Sequence, residues 1–130
     1  KDASSFLNRA ESKYRLNNFV DAVGDFSKAI DINPDSFSLN FRGCAKQQLG
    51  QLEESIKDYI RAYTLDNKNI IAIRNSGIAK ALLKDHQGAI DDFTKALEID
   101  PECNISLFNR GKAKAELKDH QGAIDDFTKA

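Results

Sequence analysis

Apolar residues recur along this chain at spacings of three and four, the period that predicts amphipathic α-helices. Between residues 70 and 100 the pattern predicts two helices separated by a polar segment, Asp85–Gly88, which we interpret as a turn. The second helix is expected to end at Asp100, because the following Pro101 disfavours helical backbone in the residue before it. The small and apolar positions that define the two helices are Ile73, Gly77, Ala81, Ala89, Phe93 and Ala96.

This helix pair is one unit of a repeat. The segment KDHQGAIDDFTKA occurs at residues 84–96 and again, unchanged, at residues 118–130, an offset of 34. The same frame extends back along the chain with one step of 33, and gives four units at about residues 4–35, 36–69, 70–103 and 104–130. A period of this length predicts stacked helix pairs rather than one globular core. We therefore expect one elongated domain over residues 1–130, a piece of a longer array because the chain starts with Lys and has no Met.

Two sets of equivalent positions are expected to hold the helices of each unit together. Small residues on the first helix allow the two backbones to approach, and a ring on the second helix fills the adjoining space. The small residues are Ala10, Gly43, Gly77 and Gly111. The rings are Phe26, Tyr59, Phe93 and Phe127.

These positions resemble the tetratricopeptide repeat family. In the third unit the family pattern is matched by Ile73, Gly77, Ala89, Phe93, Ala96 and Pro101. The resemblance implies an all-α fold, a right-handed α-solenoid of antiparallel helix pairs with about four units, the last truncated. It also implies that first helices line a concave groove and second helices the convex face. The family's usual first-helix Tyr is replaced throughout, by Lys13, Lys46, Lys80 and Lys114.

Charged residues form equally complete sets. An aspartate recurs on every second helix, at Asp25, Asp58, Asp92 and Asp126. The first helices carry the four lysines named above and, four residues before three of them, Arg9, Arg42 and Arg110. We predict a buried or half-buried ladder of ion pairs, one per repeat, which would account for Lys at the Tyr position. The alternative is a set of unconnected, solvated charges, since surface pairs contribute little to stability.

Overall composition excludes several function classes. The chain has 19 basic and 20 acidic residues, so it lacks the basic excess that nucleic-acid or membrane-surface binding favours. No run of 18 apolar residues is present, and no signal peptide is visible. The two cysteines, Cys44 and Cys103, occupy different repeat positions. We interpret them as free thiols, which favours a reducing compartment and predicts a cytoplasmic location.

Catalytic and metal-binding patterns are not apparent. His86 and His120 are equivalent residues one repeat apart, but their spacing and neighbours do not match zinc-ligand motifs. The pair Asp91 and Asp92 diverges by about 100° around a helix and does not form a shared carboxylate site. We expect no enzyme activity, no cofactor and no metal.

The resemblance implies which first-helix residues face the groove, and these are the candidate peptide-binding residues. They are Asn8, Phe37, Asn40, Phe41, Ile71, Arg74, Asn75, Ile78, Ile105, Phe108, Asn109 and Lys112. Apolar residues among them would form the kind of patch that marks a binding site. Phe37, Ile71 and Ile105 could instead pack between neighbouring first helices, whereas Phe41, Ile78 and Phe108 are expected to face the groove.

Asparagine recurs in this set at Asn8, Asn75 and Asn109, where some family members use the amide to hold an extended peptide. Phe41 interrupts the series. We do not expect the clamp that co-chaperone members use for the terminal carboxylate of chaperone tails. In one register the clamp positions hold Leu7, Glu11, Phe41, Ile71 and Asn75. In the register shifted by one unit only Asn75 matches, and no cation remains.

Three functions stay open. The first is a non-catalytic scaffold whose groove binds an apolar peptide or helix of another protein. The second is a structural array that associates end to end, because Ile124 and Phe127 would lack a covering helix in this chain. The third is the substrate-recruiting arm of a larger enzyme.

Overall fold

A computed structural model describes residues 2–130 and places eight α-helices in this part of the chain, with no strand. The helices are α1 Ala3–Arg15, α2 Phe19–Ile32, α3 Ser36–Gln48, α4 Leu52–Leu65, α5 Ile70–Leu82, α6 His86–Ile99, α7 Asn104–Glu116 and α8 His120–Lys129. They form the four expected pairs, so the all-α repeat fold is confirmed. The last second helix, α8, is the shortest, with 10 residues against 14 in α6.

The chain divides into two compact units, one ending at Ala72 and the other comprising Ile73–Ala130. In the first unit α1 packs on α2, α2 on α3, and α3 on α4. In the second unit α6 packs on α7, and α7 on α8. The single domain expected over residues 1–130 stays a prediction.

Each first helix ends in the same hydrogen-bonded turn. After α5, Lys84 adopts a left-handed backbone with φ 68°, its N–H bonds the carbonyl of Ala81, and the N–H of Asp85 bonds the carbonyl of Lys80 at 2.9 Å. This is the Schellman arrangement, which satisfies the last carbonyls of a helix. The same pair of bonds follows α1, α3 and α7.

The turn expected at Asp85–Gly88 was placed too late in the sequence. α6 already begins at His86, because the Asp85 carboxylate accepts a hydrogen bond from the Gly88 N–H at 3.0 Å and caps the helix. Polar residues at a helix start resemble a turn in sequence, since both favour Asp and Gly. His86 and His120 are therefore the first residues of α6 and α8 rather than turn residues.

The small residues of the first helices lie against the rings of the second helices, as predicted. A methyl group built on Gly77 would come within 2.8–2.9 Å of the Phe93 ring, and Phe93 is completely buried. Gly43 faces the ring of Tyr59 in the same way. This close approach is possible only without a side chain, which explains why glycine recurs at this position.

The predicted ladder of ion pairs is confirmed. In the first repeat Asp25 accepts from Arg9 at 2.7 Å and from Lys13 at 2.9 Å, and its side chain is almost fully buried. The same arrangement surrounds Asp58 and Asp126. In the third repeat, where Ser76 occupies the position of the arginine, Asp92 pairs with Lys80 at 3.0 Å and accepts from the Ser76 hydroxyl at 2.7 Å.

Hydrogen bonding favours the ionised form of two of these carboxylates, Asp25 and Asp126. The bond from Arg9, supported by Lys13, lowers the pKa of Asp25 far below its ordinary value despite burial. Burial alone would raise the pKa of Asp126, but the bonds from Arg110 and Lys114 outweigh it, so its pKa is lowered too. The stability that these two groups contribute is therefore present above an unfolded pKa of about 3.9 and lost as the pH falls through the folded values.

Replacing Gly77 by Ala tests the close approach of the Phe93 ring to the backbone of α5. The added methyl meets a fully buried ring, and overpacking typically costs about 1–3 kcal/mol, more than the roughly 1 kcal/mol that Ala gains over Gly in a helix. We expect urea unfolding to show a destabilised variant. Gly24→Ala is the matched control, because a methyl there meets nothing within 4 Å, and it should stabilise the protein. A Gly77→Ala variant as stable as Gly24→Ala would contradict the packing described.

A double-mutant cycle on Asp92→Ala and Lys80→Ala measures the coupling energy of one ion pair of the ladder. Because the pair is largely buried, we expect a coupling energy of about 1–3 kcal/mol from denaturant unfolding of the four proteins. The exposed pair Glu54–Lys57, at 3.3 Å, provides the matched cycle, whose coupling should be close to zero. Equal couplings in the two cycles would show that burial does not strengthen the ladder.

Candidate functional site

Four of the apolar candidate residues are about half exposed to solvent. Phe37 and Ile71 lie in the first unit, and Ile105 and Phe108 lie in the second. Phe108 is expected to face the groove, and half of its side chain is accessible; that it binds a partner there stays a prediction. Packing between first helices had been the alternative for the other three, but about half of each side chain remains accessible. Each unit therefore presents apolar surface from its first helices.

Phe41, which is expected to face the groove, is partly buried, and its place in a groove stays a prediction. Its ring stacks on the buried Phe26 with centroids 5.9 Å apart, and Tyr14 and Phe37 contact it at 5.8 and 4.7 Å. Aromatic pairs at these distances are favourable beyond their buried area. Phe41 therefore supports the aromatic cluster, and Phe37 is the most exposed of these four rings.

Ile78, which is also expected to face the groove, is partly buried against a small core made of Ala89, Phe93 and Ala113. It forms part of the wall of a pocket in the second unit, with a volume of about 240 Å³. The pocket is lined by Ile78, Ala81, Leu82, Lys84, His86, Asn109, Lys112, Ala113 and Glu116. We call this site the α5–α7 pocket, after the two helices that supply most of its lining.

His86 contributes an unusual feature to the α5–α7 pocket. Its Nδ1 atom is buried and has no hydrogen-bond partner among residues 2–130. Buried polar atoms are nearly always paired, so this one calls for an explanation. Sequence reasoning dismissed His86 as a solvated turn residue. No sequence signal could have found it, because His120 has the same neighbours and is exposed.

The remaining polar candidates differ in what they already contact. Asn109 donates from Nδ2 to the carbonyl of Ile105 at 2.8 Å and also lines the α5–α7 pocket. The Lys112 ammonium lies 5.4 Å from the centroid of the Phe108 ring, within range of a cation–π interaction. Asn8 is exposed, and Asn40 and Asn75 are half-buried.

Arg74 lies next to a cysteine. Burial alone would raise the pKa of the Cys103 thiol, but hydrogen bonds from Ser106, whose hydroxyl lies 3.2 Å from Sγ, and from Arg74 lower it below the ordinary value. Cys103 is also the residue that precedes the first turn of α7. Burial raises the pKa of the other thiol, Cys44.

Two further properties concern residues 2–130 as a whole. This part of the chain contains no group of three or more His, Cys, Asp or Glu side chains placed to hold a metal ion. None of its helices combines the length and apolar character needed to cross a bilayer.

Comparison with known sequences agrees with the helix pairs described above. The sequence pattern of the tetratricopeptide repeat matches residues 38–69 and 75–103. The chain carries tetratricopeptide repeats. These two matches cover α3–α4 and most of α5–α6, which contain the Gly43–Tyr59 and Gly77–Phe93 contacts.

Among curated proteins, the chain is similar to protein unc-45 homolog B. With the protein of Xenopus tropicalis it shares 38% identity over 65 residues, which is 49% of this chain and 7% of that protein. The human protein is 37% identical over 68 residues, 52% of this chain and again 7% of the relative. The matched segment is thus a small part of these relatives.

Among solved structures, the fold resembles that of MamA, with a TM-score of 0.94 at 18% identity over 98% of this chain and 75% of MamA. It also resembles the second tetratricopeptide repeat domain of Spaghetti (RPAP3), solved with the HSP90 peptide SRMEEVD. That TM-score is 0.71 at 26% identity, over 72% of this chain and 87% of that domain. The tetratricopeptide repeat fold is therefore common to these proteins and this chain.

The two cysteines offer a check on the environment of Cys103. Because the thiolate is the reactive form, a lowered pKa should speed its reaction with a disulfide reagent at neutral pH. We expect Cys103, studied in Cys44→Ser, to react at least about tenfold faster than Cys44, studied in Cys103→Ser. Replacing Arg74 by Ala should slow Cys103 and leave Cys44 unchanged. Equal rates for the two thiols would contradict the contacts described.

Proposed function

We propose that this chain is a non-catalytic protein-interaction scaffold that binds an apolar peptide or helix on its first-helix surface. The observation that carries the proposal is the exposure of large apolar side chains on first helices in both units, with the α5–α7 pocket beside them in the second. Burying such side chains against a partner is favourable, at about 25 cal/mol per Å² of apolar surface.

The size of the α5–α7 pocket favours the binding of one side chain of a partner protein over the binding of a cofactor. Its volume of about 240 Å³ is below the range of roughly 300–1,000 Å³ typical of small-molecule sites. Its walls include Ile78, Ala81 and Leu82, which suit an aliphatic or aromatic group. One apolar residue of a peptide or of an amphipathic helix would fill it.

The polar rim of the pocket would orient that partner. His86 Nδ1 has no hydrogen-bond partner in the described part of the chain, residues 2–130, and Asn109 can both donate and accept. A peptide group placed next to the apolar residue would satisfy both. Lys84 and Lys112 outnumber Glu116 in the lining, so an acidic residue of the partner near this rim would be favoured over a basic one.

The comparison with solved structures supports peptide binding as the general type of function. The Spaghetti domain was solved with a peptide of HSP90, and extension to this chain is our inference. We do not propose the terminal-carboxylate clamp, because its positions here hold residues such as Leu7, Glu11 and Phe41 in place of the lysine and asparagine it requires.

A peptide-display experiment tests the proposal directly. Random linear peptides displayed on phage would be selected on the chain, and the Kd of enriched synthetic peptides measured by fluorescence anisotropy. We expect peptides with an aromatic or aliphatic anchor. Leu82→Ala should weaken their binding by about tenfold, because a Leu side chain contributes about 1.5–3 kcal/mol when buried. Leu82 is exposed in the free protein, so the change should not unfold it.

The duplicated segment supplies a matched control. His86→Ala and His120→Ala alter the same residue in the same sequence, but only His86 lines the α5–α7 pocket. We expect weaker binding in the first variant and unchanged binding in the second. Equal effects of the two substitutions, or binding that Leu82→Ala does not alter, would overturn the proposal for this pocket.

A further inference from the structure

The α5–α7 pocket has room for a side chain larger than a single ring. Its volume is about 240 Å³, whereas an engineered cavity of about 150 Å³ in another protein binds one benzene molecule. Its apolar walls include Ala81 on α5 and Ala113 on α7. Small residues on both helices leave space between them, so the pocket suits a bicyclic ring better than a branched aliphatic group.

One polar atom of the lining residues has to be paired by whatever fills the pocket. His86 Nδ1 is buried and has no hydrogen-bond partner among residues 2–130. A neutral imidazole carries one proton, so Nδ1 is either a donor or an acceptor. His86 begins α6, where unpaired backbone N–H groups carry partial positive charge, and Lys84 and Lys112 line the same pocket. Positive surroundings stabilise a lone pair, so we assign Nδ1 as an acceptor.

Asn109 offers a second acceptor at the pocket. Its Nδ2 already donates to the carbonyl of Ile105 at 2.8 Å, so Oδ1 is the side-chain atom that a partner can use. An amide oxygen only accepts hydrogen bonds. The occupant of the pocket therefore has to bring donors, and an aliphatic or phenylalanine side chain would leave His86 Nδ1 buried and unpaired.

Lysine side chains add a preference for an aromatic occupant. The Lys112 ammonium lies 5.4 Å from the centroid of the Phe108 ring, and Lys84 also lines the pocket. A cation near the face of a ring is attracted by the negative charge of that face, and tryptophan gives the strongest attraction. An aliphatic side chain gains nothing of this kind.

We propose that the side chain that occupies the α5–α7 pocket is a tryptophan of the partner, an inference that rests on the proposed function. The indole ring lies between Ala81 and Ala113, and its N–H donates to His86 Nδ1. Asn109 Oδ1 then accepts the peptide N–H beside the tryptophan. The only polar atom of an indole is a donor, whereas a tyrosine hydroxyl brings lone pairs that need a partner of their own.

Peptides that differ in one ring atom test this proposal. The peptide that binds most tightly in the phage selection would be synthesised with tryptophan, 3-benzothienylalanine, phenylalanine or leucine at its anchor position. Benzothienylalanine keeps the bicyclic shape of tryptophan but has sulfur in place of the N–H. We expect the tryptophan peptide to bind about 2- to 10-fold more tightly than the benzothienylalanine peptide, the ratio that one net neutral hydrogen bond provides.

Histidine variants show whether this ratio comes from the pocket. His86→Ala should bring the ratio of the two Kd values close to one, because the acceptor is gone. His120→Ala changes the same residue of the duplicated segment outside the pocket and should keep the ratio of the unmodified chain. Circular dichroism checks that both variants are folded. A ratio close to one in the unmodified chain, or a ratio that His86→Ala leaves unchanged, would overturn the proposal.

Nitrogen-15 NMR reports the hydrogen bond directly. The chain has two histidines, so His120 serves as the internal reference for His86. The Nδ1 resonance of His86 should shift when the tryptophan peptide is added, and shift less with the benzothienylalanine peptide, while that of His120 stays in place. Equal shifts of the His86 resonance with the two peptides would contradict a bond from the indole N–H.

The same measurements separate this inference from the proposed function. If the four peptides bind equally well and Leu82→Ala weakens all of them, an apolar side chain occupies the pocket but tryptophan is not selected, and only this inference fails. If Leu82→Ala leaves the binding of all four peptides unchanged, the peptides do not occupy the α5–α7 pocket, and the proposed function of the pocket fails as well.

Discussion

The structure depends on one buried carboxylate in each helix pair. An aspartate inside a protein is costly unless cations and hydrogen bonds surround it, and here each receives two donors from the first helix. Lys80 shows that a residue of the ion-pair ladder can also have a second, structural role. Its ammonium binds Asp92 at 3.0 Å, while its carbonyl accepts the hydrogen bond that ends α5. The residue that pairs the two helices therefore also fixes where the first one stops.

The third repeat shows what this arrangement tolerates. Ser76 replaces the arginine and still donates to Asp92, fully buried. The requirement is thus a second donor of suitable reach rather than a second charge. Some positions outside the ion pairs and the helix packing vary between repeats, as Ile78 and Lys112 do at equivalent sites. The α5–α7 pocket includes such variable positions, Ile78 and Lys112 among them, and these are where a family with a constant scaffold can differ in what it binds.

Sequence reasoning was more successful for the scaffold than for the candidate site. Repeating residues such as Gly77 and Phe93 have one role in every unit, so their spacing alone predicts their contact. The solvent exposure of a side chain is different, because it depends on which other parts of the chain pack against it. Phe41 stacks on Phe26 and is partly buried, whereas Phe37, one turn earlier, is 49% exposed. Nothing in the spacing distinguishes two phenylalanines one helical turn apart when either could pack.

The duplicated segment separates what the sequence alone determined from what only the tertiary structure decided. In both copies an Asp caps the helix and a Gln bonds an Asp four residues later. These interactions are local, so identical sequences form them identically. Burial is not local. His86 lines a pocket while His120 is exposed, and Phe93 is covered while Phe127 is open. The covering helix lies elsewhere in the chain, so only the folded structure could show it.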